Sequence, residues 1–281
     1  MGFPDRISYS SWMSFRSGCQ WRWKLDVCDG LRSNNFGIHL DFGTAIHAAI
    51  EHYRTRKDPI SIQDALDWFE ITLRNLHEDH SPNYREKEKT AKVDDFVKQG
   101  RAIIKDLDNC LELRDAEIIY NEHPLRLPID RSDDLNVDFK GFIDMVIKWK
   151  DGRGNPVLYI VDFKSCSWGW DGDKRRDRDL HAQLFLYKHF LSKEFNLDPK
   201  EIRCAFILLK KRPPKGVCAV EFFPVSAGPV SVQRALDEMN SDLTDMKKRF
   251  DEGTLKKNRE FCTSPFGDVC PYLNTDKCPK E

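Results

Sequence analysis

Apolar residues recur at two different periods along the chain, and the change from one to the other divides it. Near the start, Ser8 or Ser10 can cap a short helix that runs through Phe15. Across residues 37–57, Phe42, Ile46, Ala49, Ile50 and Tyr53 fall at helical spacing, with Gly43-Thr44 placed to open or tighten the helix start. Ser61 caps a second predicted helix, to about residue 77, whose stripe is Ile62, Leu66, Phe69 and Leu73. Residues 79–91 are polar and read as a loop. Residues 93–113 return to helix through Phe96, Val97, Ile103, Ile104, Leu107 and Leu111.

From Ile118 onward the texture turns to strands. Residues 118–120, 137–139 and 142–149 read as strands, as do 157–163 after the turn signal Asp151-Gly152-Arg153-Gly154-Asn155. A helix is predicted over 180–195 and a strongly apolar strand over 202–209. Another strand covers 217–225, after Pro213-Pro214-Lys215-Gly216. Val232, Leu236, Met239, Leu243, Met246 and Phe250 then step by fours and threes, which is an amphipathic helix. The order predicts an α/β fold with a helical N-terminal part and a cysteine-bearing C-terminal cap. A single domain over 1–281 is expected. Residues 37–115 would be its helical part, 116–250 its catalytic core, and 1–36 with 251–281 the cap.

Composition narrows the class. With 281 residues, 40% of them hydrophobic and 32% charged, the chain can bury a core and is not expected to be disordered. No apolar run approaches the roughly 20 residues that span a bilayer. The opening MGFPDRISYSSW lacks the apolar stretch of a signal peptide and the Ser or Thr that myristoylation needs at position 6. A cytoplasmic protein with no membrane partner is therefore expected. Net charge is −1, so any contact with nucleic acid must come from local basic clusters. These are Lys174-Arg175-Arg176 with Arg178, Lys210-Lys211-Arg212, and Lys247-Lys248-Arg249. Nine cysteines without an export signal argue against disulfides, and three of them fall in the last 20 residues, which points to metal or cluster ligation.

The sharpest chemistry is Gly141-Phe142-Ile143-Asp144, followed by Val161-Asp162-Phe163-Lys164. Both aspartates interrupt apolar strand-like runs, where a carboxylate is costly unless paired or bound to metal. Carboxylates from adjacent strands can converge on one hard cation such as Mg²⁺ or Mn²⁺. Asp162 and Lys164 are two apart on a strand and so share a face, which puts an ammonium beside a metal-bound water. A lone D-x-K is usually a surface ion pair; Asp144, 18 residues upstream as a hairpin partner would be, shifts the reading to phosphodiester hydrolysis. His47 sits in an apolar helical stretch, and Gln183 and Tyr187 are four apart on one helix face. The segment 174–178 lies where a substrate strand could pass, with Trp168 and Trp170 beside it as candidates to stack on bases or to pack the loop.

His47 after Gly-Thr, Gly-Phe-Ile-Asp144, Asp162-Phe-Lys164 and Gln183-x-x-x-Tyr187 occur in the order found in RecB-like nucleases. Over about positions 8–190 the chain resembles that branch of the PD-(D/E)XK superfamily. The resemblance implies a restriction-endonuclease-like α/β core, a mixed central sheet flanked by helices. It implies His47, Asp144 and Asp162 as ligands of Mg²⁺ or Mn²⁺, with the Phe163 carbonyl as a further ligand. Lys164 would be the catalytic lysine, and Gln183 and Tyr187 would orient it or the DNA backbone. Glu122 stands where such nucleases often carry an acid, and Glu51 shares a helix face with His47. The second acid is Asp where Glu is commoner. The implied substrate is DNA, single-stranded or at duplex ends, cleaved by an exonuclease working with protein partners in recombination or replication, in a bacterium or phage-infected host. A catalytically inactive DNA-binding or scaffold protein and a nuclease acting on RNA are the alternatives.

One early and three late cysteines, Cys19 with Cys262, Cys270 and Cys278, resemble the iron–sulfur nucleases, among them AddB-type subunits and CRISPR-adaptation exonucleases. That resemblance implies a [4Fe–4S] cluster stapling the chain ends. The even spacing departs from the closer C-terminal pair of those families, so structural Zn²⁺ on four cysteines is the alternative, with Cys28 able to replace Cys19.

Overall fold

The computed structural model describes residues 2–31, 36–55, 59–84, 86–131, 135–263 and 269–279. Among these, ten helices are α1 (Tyr9–Arg16), α2 (Gln20–Trp23), α3 (Ile38–Tyr53), α4 (Ile62–His80), α5 (Glu86–Lys89), α6 (Val93–Asp106), α7 (Leu111–Arg114), α8 (Gly172–Arg175), α9 (Arg178–Glu194) and α10 (Pro229–Glu252). Six strands are β1 (Arg6–Ile7), β2 (Glu117–Pro128), β3 (Asp138–Lys150), β4 (Pro156–Cys166), β5 (Ile202–Lys210) and β6 (Val220–Val225). They form one mixed sheet in the order β1-β3-β4-β5-β6, with β2 also paired to β3. β3 and β4 are antiparallel and β4 and β5 parallel. A parallel pair needs a crossover, and α9 supplies it.

Contacts group the chain into two units: Asn35–Pro124 with Phe142–Gly228, and Met1–Asn34 with Leu125–Gly141 and Pro229–Glu281. In the first, one sheet face presents Met145, Ile147, Val161, Phe163, Ala205, Ile207 and Leu209. It buries them in a common core with Phe42, Ile46 and Ile50 of α3, Phe69 and Leu73 of α4, and Ile103 and Ile104 of α6. The other face is covered by α9, where the Cys204 thiol reaches the Leu184 carbonyl at 3.6 Å. In the second unit, α1 packs on α10, and Trp12 Nε1 donates to Asp242 at 2.7 Å.

Caps follow the predicted residues. Ser8 accepts the Ser11 amide, and Ser61 with Asp64 forms a reciprocal capping box. Several boundaries move. α3 starts at Ile38 and runs straight through Gly43-Thr44, and residue 57, its predicted end, lies outside the described residues. α4 continues to His80, and the predicted loop behind it carries a 3₁₀ turn and α5. The predicted helix 93–113 breaks at a 3₁₀ turn over Leu107–Asn109, and residues 137–139 and 142–149 join into the single strand β3. α2, the π-helical turn Lys24–Cys28 and α8 have no apolar periodicity to reveal them, being four or five residues long.

At Gly100 the backbone of α6 approaches α4 so closely that a Cβ would stand 2.0 Å from the Phe69 ring. Phe69 is fully buried. Gly100→Ala is therefore expected to lower stability by about 1–3 kcal/mol through overpacking. That corresponds to roughly 2–4 °C of Tm per kcal/mol in thermal unfolding.

Candidate active site

A tight turn sets the register that builds the site. Asp151 Oδ1 accepts the amides of Arg153 and Asn155 at 2.8 and 2.9 Å, and Gly154 takes φ 84°, which a side chain would disfavour. The β3–β4 ladder then runs from Lys150↔Pro156 to Met145↔Val161. One further step in register sets Asp144 opposite Asp162. There the carboxylate takes over from the ladder: Asp144 Oδ2 accepts the Phe163 amide at 2.7 Å.

Asp162 is 2% exposed. Its Oδ1 accepts from Gln183 Nε2 at 2.8 Å. Its Oδ2 lies 2.6 Å from Lys164 Nζ as an ion pair, yet is buried without an aligned hydrogen bond. Lys164 Nζ donates to Gln183 Oε1 at 3.0 Å and stands over the Phe206 ring at 5.8 Å. Gln183 Nε2 also donates to the Tyr187 hydroxyl at 3.1 Å, and that hydroxyl is hydrogen-bonded to the Phe142 backbone. One chain of polar contacts thus links β3, β4 and α9.

Burial pushes the Asp144 carboxyl well above the usual carboxylate range, and the neighbouring charge of Asp162 pushes it further. His47 reaches in from α3, its Nδ1 3.7 Å from Asp144 Oδ2 and its ring hydrogen-bonded to the Phe163 backbone. Burial lowers its pKa and keeps the imidazole neutral, the state in which it can ligate a metal. Glu122 takes φ 44° within β2, a conformation that side chains rarely adopt, and its charge acts on both Asp144 and Glu51. Burial, and then Glu122, raise the Glu51 carboxyl.

His47, Asp144, Asp162, Phe163, Lys164, Gln183 and Tyr187 are thus brought to one place. The cysteines gather elsewhere. Cys19, Cys262, Cys270 and Cys278 are buried, and the last three share a small core with Leu25 and Tyr272. The Cys262 thiol is pushed up by burial and then by Cys270, Cys19 and Cys278, so all three lie within electrostatic reach of it. Cys28 instead faces Asp29 and Lys24, and burial pushes its thiol up to about 12. Among the described residues no group of three or more His, Cys, Asp or Glu side chains is assembled to hold a metal ion as it stands. The donor chemistry nonetheless fits a hard divalent cation at Asp144 and Asp162: two crowded carboxylates, an orphaned buried Oδ2 and a neutral imidazole.

Of the two roles offered for the loop tryptophans, Trp170 takes packing: it is 6% exposed and lies edge-on against Phe206 and Phe223, whereas Trp168 is exposed. In the 174–178 cluster Arg175 pairs with Glu221 at 2.5 Å, the exposed Arg176 with Asp173, and Lys174 lies over the Trp170 ring. Phe206 beneath Lys164 went unread because its apolar strand gave no sign of which rings face the lysine.

A mixed sheet that carries paired acids and a lysine on adjacent strands, braced from a crossover helix, defines the restriction-endonuclease-like class. The model of the PD-(D/E)XK nuclease superfamily matches residues 6–278, and the chain belongs to that superfamily. Among solved structures, a presumed exonuclease from Eubacterium rectale shares the fold with a TM-score of 0.57 and 13% identity, covering 92% of this chain and 86% of that one. None of the curated proteins matches.

Crowding of like charges makes the site a cost to the metal-free fold. Asp144→Asn, which keeps the acceptor for the Phe163 amide, is expected to raise stability in EDTA by about 1 kcal/mol, roughly 2–4 °C. The sign follows from the raised carboxyl: its ionised form is disfavoured in the fold, so the gain is fullest at alkaline pH. It fades as pH falls towards about 4, where the wild-type carboxyl is protonated in both states. Equal melting curves for both proteins from pH 4 to 9 would contradict this.

Proposed function

We propose that the chain is a metal-dependent deoxyribonuclease that degrades DNA from ends. The observation that carries the reading is the pair Asp144 and Asp162, crowded and under-neutralised, with Lys164 beside them. Asp144, Asp162 and the Phe163 carbonyl would hold Mg²⁺ or Mn²⁺, with His47 as a further ligand. The bound cation would supply Lewis acidity and a water of lowered pKa. The rest falls to side chains of this chain. Gln183 fixes Asp162 with one end of its amide and Lys164 with the other, so both keep one rotamer. Lys164, released from Asp162 when a phosphate arrives, would orient the attacking water or neutralise charge on the phosphoryl oxygens. Tyr187 anchors the amide from behind. Intact Asp144, Asp162 and Lys164 favour an enzyme over an inactive scaffold. The presumed exonuclease from Eubacterium rectale, which shares the fold, is in keeping with that mode of cleavage.

Cys19, Cys262, Cys270 and Cys278 would hold a [4Fe–4S] cluster, or Zn²⁺ in its place. The described part of the tail after α10 has one 3₁₀ turn and two isolated bridges, around a core of a few side chains. So small a core gains little from burial and calls for a cross-link.

End-labelled single-stranded, duplex and circular DNA, with RNA in parallel, test the activity. Linear DNA should be degraded with Mg²⁺ or Mn²⁺ and circles spared. Lys164→Ala should lose roughly 10²–10⁴-fold and Asp162→Ala at least as much. Unchanged rates in both variants would exclude the site, and selective RNA cleavage would replace the substrate. For the tail, anaerobically purified protein should carry about four irons per chain. Cys270→Ser should strip them and lower Tm; zinc at one per chain would assign the other metal, and neither metal would reject ligation.

A further inference from the structure

We infer that Phe142 is a stacking platform for an unpaired nucleobase next to the scissile phosphate, so that the centre selects strands whose end is single or frayed. This rests on the nuclease reading of Asp144, Asp162 and Lys164.

Phe142 is 63% exposed although it lies within the long strand β3. Residues two apart on a strand project from one face, so its ring stands beside Asp144, about 7 Å along the strand. Isolated exposed apolar side chains are common and need no explanation. This one differs in how it is mounted. Its backbone is hydrogen-bonded to the Tyr187 hydroxyl, which Gln183 ties to Asp162 and Lys164. Any change that seats the ring therefore bears on the same polar chain that positions the lysine. A neutral phenyl face has no attraction for phosphate, whereas every base offers a π-face to it, and base–aromatic stacking is sequence-tolerant. A base still paired in duplex cannot present that face, which is why the preference falls on unpaired ends.

The test compares wild type with Phe142→Ala, Phe142→Leu and Phe142→Trp. Substrates are single-stranded DNA, the same strand abasic at its terminal nucleotides, blunt duplex, and duplex with mismatched ends. The exposed position leaves folding intact in all three variants. Phe142→Ala and Phe142→Leu should each lose roughly tenfold in kcat/KM on the intact single strand, and Phe142→Trp should retain it. On the abasic strand wild type should fall to the level of Phe142→Ala, with no further loss in the variant. Equal losses on intact and abasic strands, or a Phe142→Leu as active as wild type, would overturn the inference. A second readout is independent of cleavage: fluorescence of 2-aminopurine at the strand end, titrated with Asp162→Asn protein. Quenching that Phe142→Ala abolishes upholds the platform even if wild type cleaves nothing, in which case the nuclease reading alone fails. Asp162-dependent cleavage without Phe142-dependent quenching sinks the platform alone.

Discussion

A buried carboxylate beside a half-buried one, at the point where a β-ladder stops, is the constraint on which this structure turns. Hydrogen bonds join β3 and β4 up to Met145↔Val161, and beyond that the side chain of Asp144 accepts the Phe163 amide in place of a backbone carbonyl. Next to it Asp162 lies buried, one oxygen held by Gln183 and the other only by the ion pair to Lys164. Desolvation, and then the like charge of Asp162, both act against ionisation of Asp144. Such a centre persists only if the surrounding fold over-determines it.

The surrounding fold does so from both sheet faces. α3 carries His47 from the layer that buries Phe42 and Ile46, while α9 carries Gln183 and Tyr187 across the opposite face. The parallel step from β4 to β5 requires a crossover, and the crossover helix is the one that braces Asp162 and Lys164. Site geometry and topology are therefore the same fact: a sheet without that parallel pair would have no helix in position to hold the lysine.

Much of this was readable in the chain. Periodicity marked α3, α4, α6 and α10, and the two-residue step of a strand placed Asp162 and Lys164 on one face, as the 2.6 Å ion pair bears out. What escaped was non-local. Whether Trp170 stacks or packs stayed open because nothing in its neighbourhood along the chain reports Phe206 and Phe223, which bury it. Short elements such as α8 carry too few residues for a period. The break at Leu107–Asn109 follows from packing and caps, since the apolar stripe of Ile103, Ile104, Leu107 and Leu111 continues through it. Phe142 was hidden differently: in the run Phe142-Ile143-Asp144-Met145 it read as one more strand apolar, and only its exposure separates it from Ile143 and Met145, which are fully buried.

The cysteine-bearing end obeys another economy. Its described residues bury Leu25, Tyr272 and three thiols, with Trp21 and Leu273 against them, and little else. Cysteine is a small hydrophobe, so three buried thiols fill space poorly compared with leucines. Burial also raises the Cys262 thiol, which keeps it protonated and inert as an isolated group. Thiols are thus a weak choice for a core that must stand alone. They are a strong one where deprotonation is coupled to a metal, because the binding free energy then becomes folding free energy for a segment whose described residues have almost no secondary structure of their own.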